Sequence, residues 1–143
     1  MSDTIAAPPA TVKLVPVLPD VVNVAWPHLS AIVEMALEGE KNVTADDVRR
    51  MASNGECALW AVVDGDKALA AVAHVIWNYP QSKALRIIFC GGKDKARWVH
   101  LLSEIEEFAR RAGCAAVEAV ARKGWAKVLP DYRLTHVLLR REI

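Results

Sequence analysis

The sequence predicts an α+β fold, with a mixed, mostly antiparallel central sheet of about six strands flanked by about four helices. Three observations carry this expectation. Residues 57 to 90 read as three consecutive strands, the first two joined at Asp64-Gly65, a dipeptide that favours a tight hairpin between apolar arms. Residues 95 to 112 place Trp98, Leu101, Leu102, Ile105, Phe108, Ala109 and Ala112 on one stripe of a helix. Helices stand before and after the strand run and do not alternate with single strands, which argues against a doubly wound sheet. A chain of 143 residues suits one core. Residues 11–143 are therefore expected to form a single domain, and residues 1–10, small and Pro-bearing, a flexible arm.

The first strand is expected over 11–17, where β-branched and aliphatic residues end at Pro16 and Pro19. Asp20 is placed to cap a helix whose apolar residues Val21, Val24, Ala25, Leu29, Ile32, Val33, Ala36 and Leu37 recur at helical spacing; Pro27 must kink it or open a second segment. Thr44-Ala45-Asp46-Asp47 resembles an N-cap with acids in the first turn, opening a short helix that stops at Asn54-Gly55. The hairpin arms are apolar on both faces and so belong inside the sheet. A fourth strand follows over 84–90, ended by Gly91-Gly92, and the long helix runs to Gly113. Residues 114–121 read as a strand, 124–129 as a brief helix before Pro130, and 134–140 as a last strand.

Composition narrows the function classes. Hydrophobic residues make up 53% and charged residues 24%, so the chain folds. Eighteen Lys plus Arg against 17 Asp plus Glu leave a net charge of +1, too small a field to recruit nucleic acid, and none is expected as a specific partner. The uncharged stretch Ala68 to Ser82 contains His74, Asn78 and Pro80 and is shorter than the roughly 20 apolar residues of a membrane span. Met1-Ser2-Asp3-Thr4 has neither a basic nor an apolar leader region, so synthesis is expected to end in the cytoplasm. Cys57, Cys90 and Cys114 lack paired spacing and read as buried free thiols. His28, His74, His100 and His136 share no ligand spacing, so no metal site is expected, and no nucleophile elbow, P-loop or dinucleotide fingerprint is present.

A strand entering a Gly-containing loop, followed by L-L-x-x-I-E-x-F-A-x-x-x-G over residues 101 to 113, resembles the GNAT family of acyl-CoA N-acyltransferases across roughly 12–143. The resemblance implies a loop of the form R/Q-x-x-G-x-G/A, whose backbone amides meet the pyrophosphate of acetyl-CoA at the start of the helix. Here that loop aligns with Lys93-Asp94-Lys95-Ala96-Arg97-Trp98. Ala96 stands at the first glycine and Trp98 at the second, where an indole is expected to block the diphosphate. Asp94 adds an opposing charge that Lys93, Lys95 and Arg97 partly counter. Reading the loop back to Gly91-Gly92 restores glycine but lengthens it.

The resemblance also implies a tyrosine that protonates the departing thiolate. Residues 126–130 carry no hydroxyl, and Tyr132, two positions on, is either that acid or an aromatic plug. His74 is the candidate base, or else a hydrogen-bonded structural histidine; Glu56 and Glu118 are further candidates. Residues 122–132, with Cys90-Gly91-Gly92 and Trp98, are similar to small GNAT-like proteins of tailed-bacteriophage morphogenesis clusters. Arg122, Lys123, Trp125 and Lys127 there either contact an anion or partner or form a solvated helix end.

What this implies is a virion-associated structural or morphogenesis component with a degenerate acyl-CoA site and no cofactor. It would be made in the host cytoplasm and partnered by other phage structural proteins or by a second copy of itself. Five tryptophans and a mean hydropathy of +0.16 suit a domain that buries surface against a partner. The alternative is an active acetyl-CoA-dependent N-acetyltransferase acting on a small-molecule or protein amine, with acetyl-CoA held in a splay between the fourth and fifth strands.

Overall fold

The computed structural model describes residues 11–122 and 124–143; the expected N-terminal arm lies outside them. Five strands form one sheet in sequential order: β1 (Val12–Val17), β2 (Ala58–Asp64), β3 (Lys67–Asn78), β4 (Lys83–Gly92) and β5 (Ala116–Ala119). The first four pair antiparallel and β5 lies parallel to β4. The mixed, mostly antiparallel sheet is thus present with five strands among the described residues, not about six. Residues 134–140 take no strand conformation and are exposed, because no strand edge pairs with them.

Helices α1 (Val22–Ala36) and α2 (Ala45–Ser53) cover one face of the sheet. On the other face α3 (Lys95–Trp98) passes through a 3-10 turn (Val99–Leu101) into α4 (Leu102–Arg111), so the helix expected over 95–112 is divided. A single turn, α5 (Trp125–Val128), follows β5.

Local chemistry accounts for most of these elements. Thr44 and Asp47 form a reciprocal capping box at the start of α2, with bonds of 3.1 and 2.9 Å, and the amide it accepts holds the Asp47 carboxyl below its usual range. Gly65, at φ 62°, makes the hairpin turn. Pro16 falls on β1, an edge strand, where its missing N–H is tolerated. Two expectations for α1 fail. The N-cap is Val21 without a side-chain bond, not Asp20, and Pro27 sits inside a continuous 15-residue helix without opening a second segment. Burial of Val22, Trp26, Leu29, Ile32 and Val33 holds the helix together across the lost bond. The three cysteines are free, but only Cys57 is fully buried; Cys90 and Cys114 are half-buried near the ends of β4 and α4.

One irregularity positions the site. The β3–β4 register shifts between Ala73↔Phe89 and His74↔Ile87, so Ile88 is a surplus residue on β4. This bulge puts Ile88 and Phe89 on the same face, toward α1 and α2, whereas Ile87 and Cys90 turn to the α4 side.

Candidate functional site

The bulge lies where β4 parts from β5. Their last paired residues are Ile87↔Ala119, after which residues 88–92 continue along β3 alone while the other chain leaves its strand. A wedge opens between the two strands, lined on one side by backbone that has lost its neighbour. Against the α2 face of that opening lies a cavity of about 360 Å3, bounded by Glu40, Asn42, Val43, Val48, Met51, Cys57, Ile88 and Phe89. It is an apolar hollow with one acid and one amide at its mouth. Burial raises the Cys57 thiol pKa, which keeps that wall neutral.

Beyond the wedge comes the turn into α3. Trp98, expected to stand over this turn, is 0% exposed and packs in the core with Leu101, Leu102 and Ile105. Its Nε1 donates to the Lys93 carbonyl at 2.6 Å. The helical stripe, not the loop alignment, decides where the indole goes, because burying it with its N–H bonded satisfies both its apolar body and its polar edge. Residues 93–97 are left exposed above it, with Asp94 at φ 54°; the Arg97 amide donates to the Asp94 carbonyl at 2.8 Å, and the amides of Lys95 and Ala96 open the helix.

The glycines before the turn are used differently from what a diphosphate loop requires. A Cβ on Gly91 would come within 3.0 Å of the Ala36 Cα on α1, and one on Gly92 would collide with the Leu69 carbonyl and the Ala70 backbone. Their bare Cα atoms admit neighbouring protein chain. Arg97 is committed to Asp64 on β2 at 2.8 Å, with Asp94 at 4.0 Å. Lys95 lies with its Nζ 4.7 Å from the centre of the Trp125 ring, which joins the turn to α5. Ala96 and Lys93 are exposed on the turn.

The expected catalytic groups lie elsewhere. His74 is 4% exposed on the α4 face, opposite the cavity, beside Trp60 and Phe108. Its Nδ1 accepts from the Trp60 Nε1 at 2.9 Å, and burial lowers its pKa to about 4. It is a structural histidine and does not face the cleft. Tyr132 is half-buried and donates to the Glu106 carboxylate on α4 at 2.9 Å; burial, then that carboxylate, raises its pKa well above the ordinary tyrosine range. Cys90 beside it is pushed up to about 12 by burial, against the pull of Lys95. Glu118 is held by Arg86 at 2.8 Å and accepts from the Tyr79 hydroxyl at 2.9 Å, and Glu56 accepts from the Asn54 amide.

Arg122, Trp125 and Lys127 do not converge as one anion clasp. Arg122 donates to the Glu38 carbonyl after α1, Trp125 turns to Lys95, and Lys127 is exposed; Lys123 lies outside the described residues. Among the described residues no group of three potential ligands is placed to hold a metal ion, and no helix is long and apolar enough to cross a membrane. Sequence reasoning missed Glu40 and Asn42, which stand in the loop between α1 and α2. The run Glu38-Gly39-Glu40-Lys41-Asn42 carried polar atoms without periodicity, and only the bulge in β4 brings that loop to a cavity.

No protein-family model matches the chain, and no curated protein matches it. Solved structures do. The aminoglycoside N-acetyltransferase AAC(6')-Iy in complex with CoA superposes with a TM-score of 0.69 at 11% identity, covering 96% of this chain and 99% of that one. A GNAT family acetyltransferase of Staphylococcus aureus gives 0.67 at 12% identity, covering 92% and 98%. An aminoglycoside acetyltransferase from an uncultured soil metagenomic sample, in complex with sisomicin, gives 0.65 at 10% identity, covering 92% and 97%. The chain has the fold of the GNAT acetyltransferases.

Proposed function

We propose that this protein is an acetyl-CoA-dependent N-acyltransferase whose amine substrate enters the cavity beside the β4 bulge. The observation that carries the reading is the burial of Trp98, which leaves the turn at residues 93–97 exposed. The steric ground for a decayed site is thereby removed. Structural neighbours that include an acetyltransferase with CoA bound support the same reading.

Each part of the site then has a task. Lys93, Lys95 and the backbone amides of Lys95 and Ala96 suit a diphosphate. The unpaired edge of residues 88–92 suits an extended, amide-bearing chain in the wedge. Glu40 and Asn42 suit an ammonium group entering the cavity. Bound acetyl-CoA supplies the acyl group: a C–N bond forms at the amine as the C–S bond breaks. The entering ammonium gives one proton to Glu40, directly or through water, to become the attacking amine; the nitrogen loses a second to solvent as the C–N bond forms, and the thiolate takes one from solvent. With the Tyr132 hydroxyl bonded to Glu106, rate rests chiefly on proximity and orientation.

Thermal unfolding with and without millimolar acetyl-CoA tests this. Ligand at about 100 times its dissociation constant adds about 2.7 kcal/mol, a shift of several degrees. Amine-dependent release of free thiol from acetyl-CoA then tests turnover. No shift and no thiol release with a panel of amines, aminoglycosides included, would refute the proposal. A role in phage morphogenesis, implied by the resemblance of residues 122–132, is a separate proposal. Mass spectrometry of purified particles tests it, and absence from every preparation rejects it.

A further inference from the structure

We propose that Arg122 is a positioning residue for the amine: it sets the mouth of the cavity by tying the loop of Glu40 and Asn42 to the chain that leaves β5 at the wedge. The inference rests on the acyltransferase reading and deepens it, since it adds a side chain 84 positions away in sequence from the turn it holds.

The loop between α1 and α2 is fixed at both ends and sparsely bonded between them. At its start the Glu40 amide donates to the Leu37 carbonyl at 2.8 Å, which closes a turn. Gly39, at φ 86°, takes the third place in it, where a type II turn requires a positive φ. At its end Thr44 and Asp47 form the capping box of α2. Among the described residues, no loop hydrogen bond involves 41 to 43. The two polar groups at the cavity therefore stand on a short span whose direction is set by its first turn.

Arg122 is bound to that turn. Its Nη2 donates to the carbonyl of Glu38, the residue in second place, which the turn's own bond leaves unused. The guanidinium lies against Gly39, where a Cβ would stand 2.5 Å from Nη2 and 3.6 Å from Cζ. A donor that carries charge makes this a stronger bond than one between neutral groups. Arg122 is itself anchored, because its carbonyl accepts from the Trp125 amide at 3.0 Å and the Trp125 ring lies 4.7 Å from the Lys95 Nζ. One side chain thus links the segment that touches the diphosphate turn to the loop that faces the amine. The tie is exposed and local, so its loss opens the loop and not the fold. An amine meets Glu40 and Asn42 together only in the tied arrangement, and apparent affinity falls with the fraction of molecules that hold it.

Steady-state thiol release and backbone amide exchange test the proposal on the full chain, on Arg122→Met and on Arg122→Lys. Met keeps the length of the stem and removes every donor, whereas Lys restores one charged donor. The amine is the member of the panel that the parent turns over fastest. Arg122→Met is expected to raise its KM about tenfold, as for a loop that is competent one-tenth of the time. The loss should fall on that KM and not on kcat or the acetyl-CoA KM. Exchange at 38–43 should quicken with no change in the denaturant midpoint, and Arg122→Lys should recover part of both effects. Exchange at 38–43 that matches the parent overturns the proposal, as does faster exchange with an unchanged amine KM. So does a rise in the acetyl-CoA KM in step with that of the amine, which would mark general damage to the site. A parent chain that releases no thiol counts against the acyltransferase reading and not against the tie, which the exchange comparison then decides by itself.

Discussion

The two faces of the sheet are filled differently. Under α3 and α4 the layer is closed: Trp98, Leu85 and Ile105 are wholly buried, and each indole or imidazole nitrogen whose bond is described has its partner inside. Under α1 and α2 the core is as apolar, yet it stops short of the β4 bulge and leaves a 360 Å3 cavity with Glu40 and Asn42 at its mouth. The ring nitrogens of Trp60, His74 and Trp98 on the closed face have protein partners, whereas Glu40 and Asn42 on the open face stand exposed at the cavity. Chemistry is expected where polar groups lack protein partners, not where unusual residues are merely present.

The comparison breaks most severely at Trp98. Trp98→Ala should cost about 3–5 kcal/mol of stability, read by denaturant unfolding, because it empties the closed face. If the indole instead guards the turn, stability changes little and acetyl-CoA binds more tightly. Second comes acid. His74 stays neutral in the folded chain down to about pH 4, while in the unfolded chain it takes up a proton near its ordinary value of 6.5. Stability therefore holds above pH 6.5 and falls by up to about 3 kcal/mol as pH drops from 6.5 to 4. His74→Gln keeps an acceptor for Trp60 and should flatten that slope in unfolding measured across the range.

Smaller effects mark the open face. Gly91→Ala brings a methyl to 3.0 Å from the Ala36 Cα and should cost roughly 1–3 kcal/mol, with α1 displaced. Glu40→Gln should leave unfolding within about 0.5 kcal/mol of the parent while raising the amine KM several-fold. An unchanged KM across amines would show that the cavity is not the acceptor site.

Much of the frame was legible because its signals are local. Asp64-Gly65 marks a turn by its own dihedral preference, Thr44 to Asp47 caps a helix within four residues, and the stripe from Trp98 to Ala109 needs only helical spacing. The site was not, because it depends on distant meetings. Nothing near Ile88 encodes a bulge, and Glu40 acquires a role only when β4 arrives beside it. Trp98 carried two readings, one from its stripe and one from motif alignment, and the cost of exposing an indole favours the stripe. Residues 134–140 have the texture of a strand, but texture supplies no neighbour.

The surplus residue in β4 also sets a phase. Side chains on a strand alternate, so the extra residue is what keeps Cys90 on the α4 side and Gly91 against Ala36; the same sequence paired without a bulge would turn Cys90 toward Ala36 and Gly91 to the other layer. Losing the codon for Ile88 would heal the ladder and leave the passage into α3 on its present faces, so what would go is the bulge and the wall it gives the cavity.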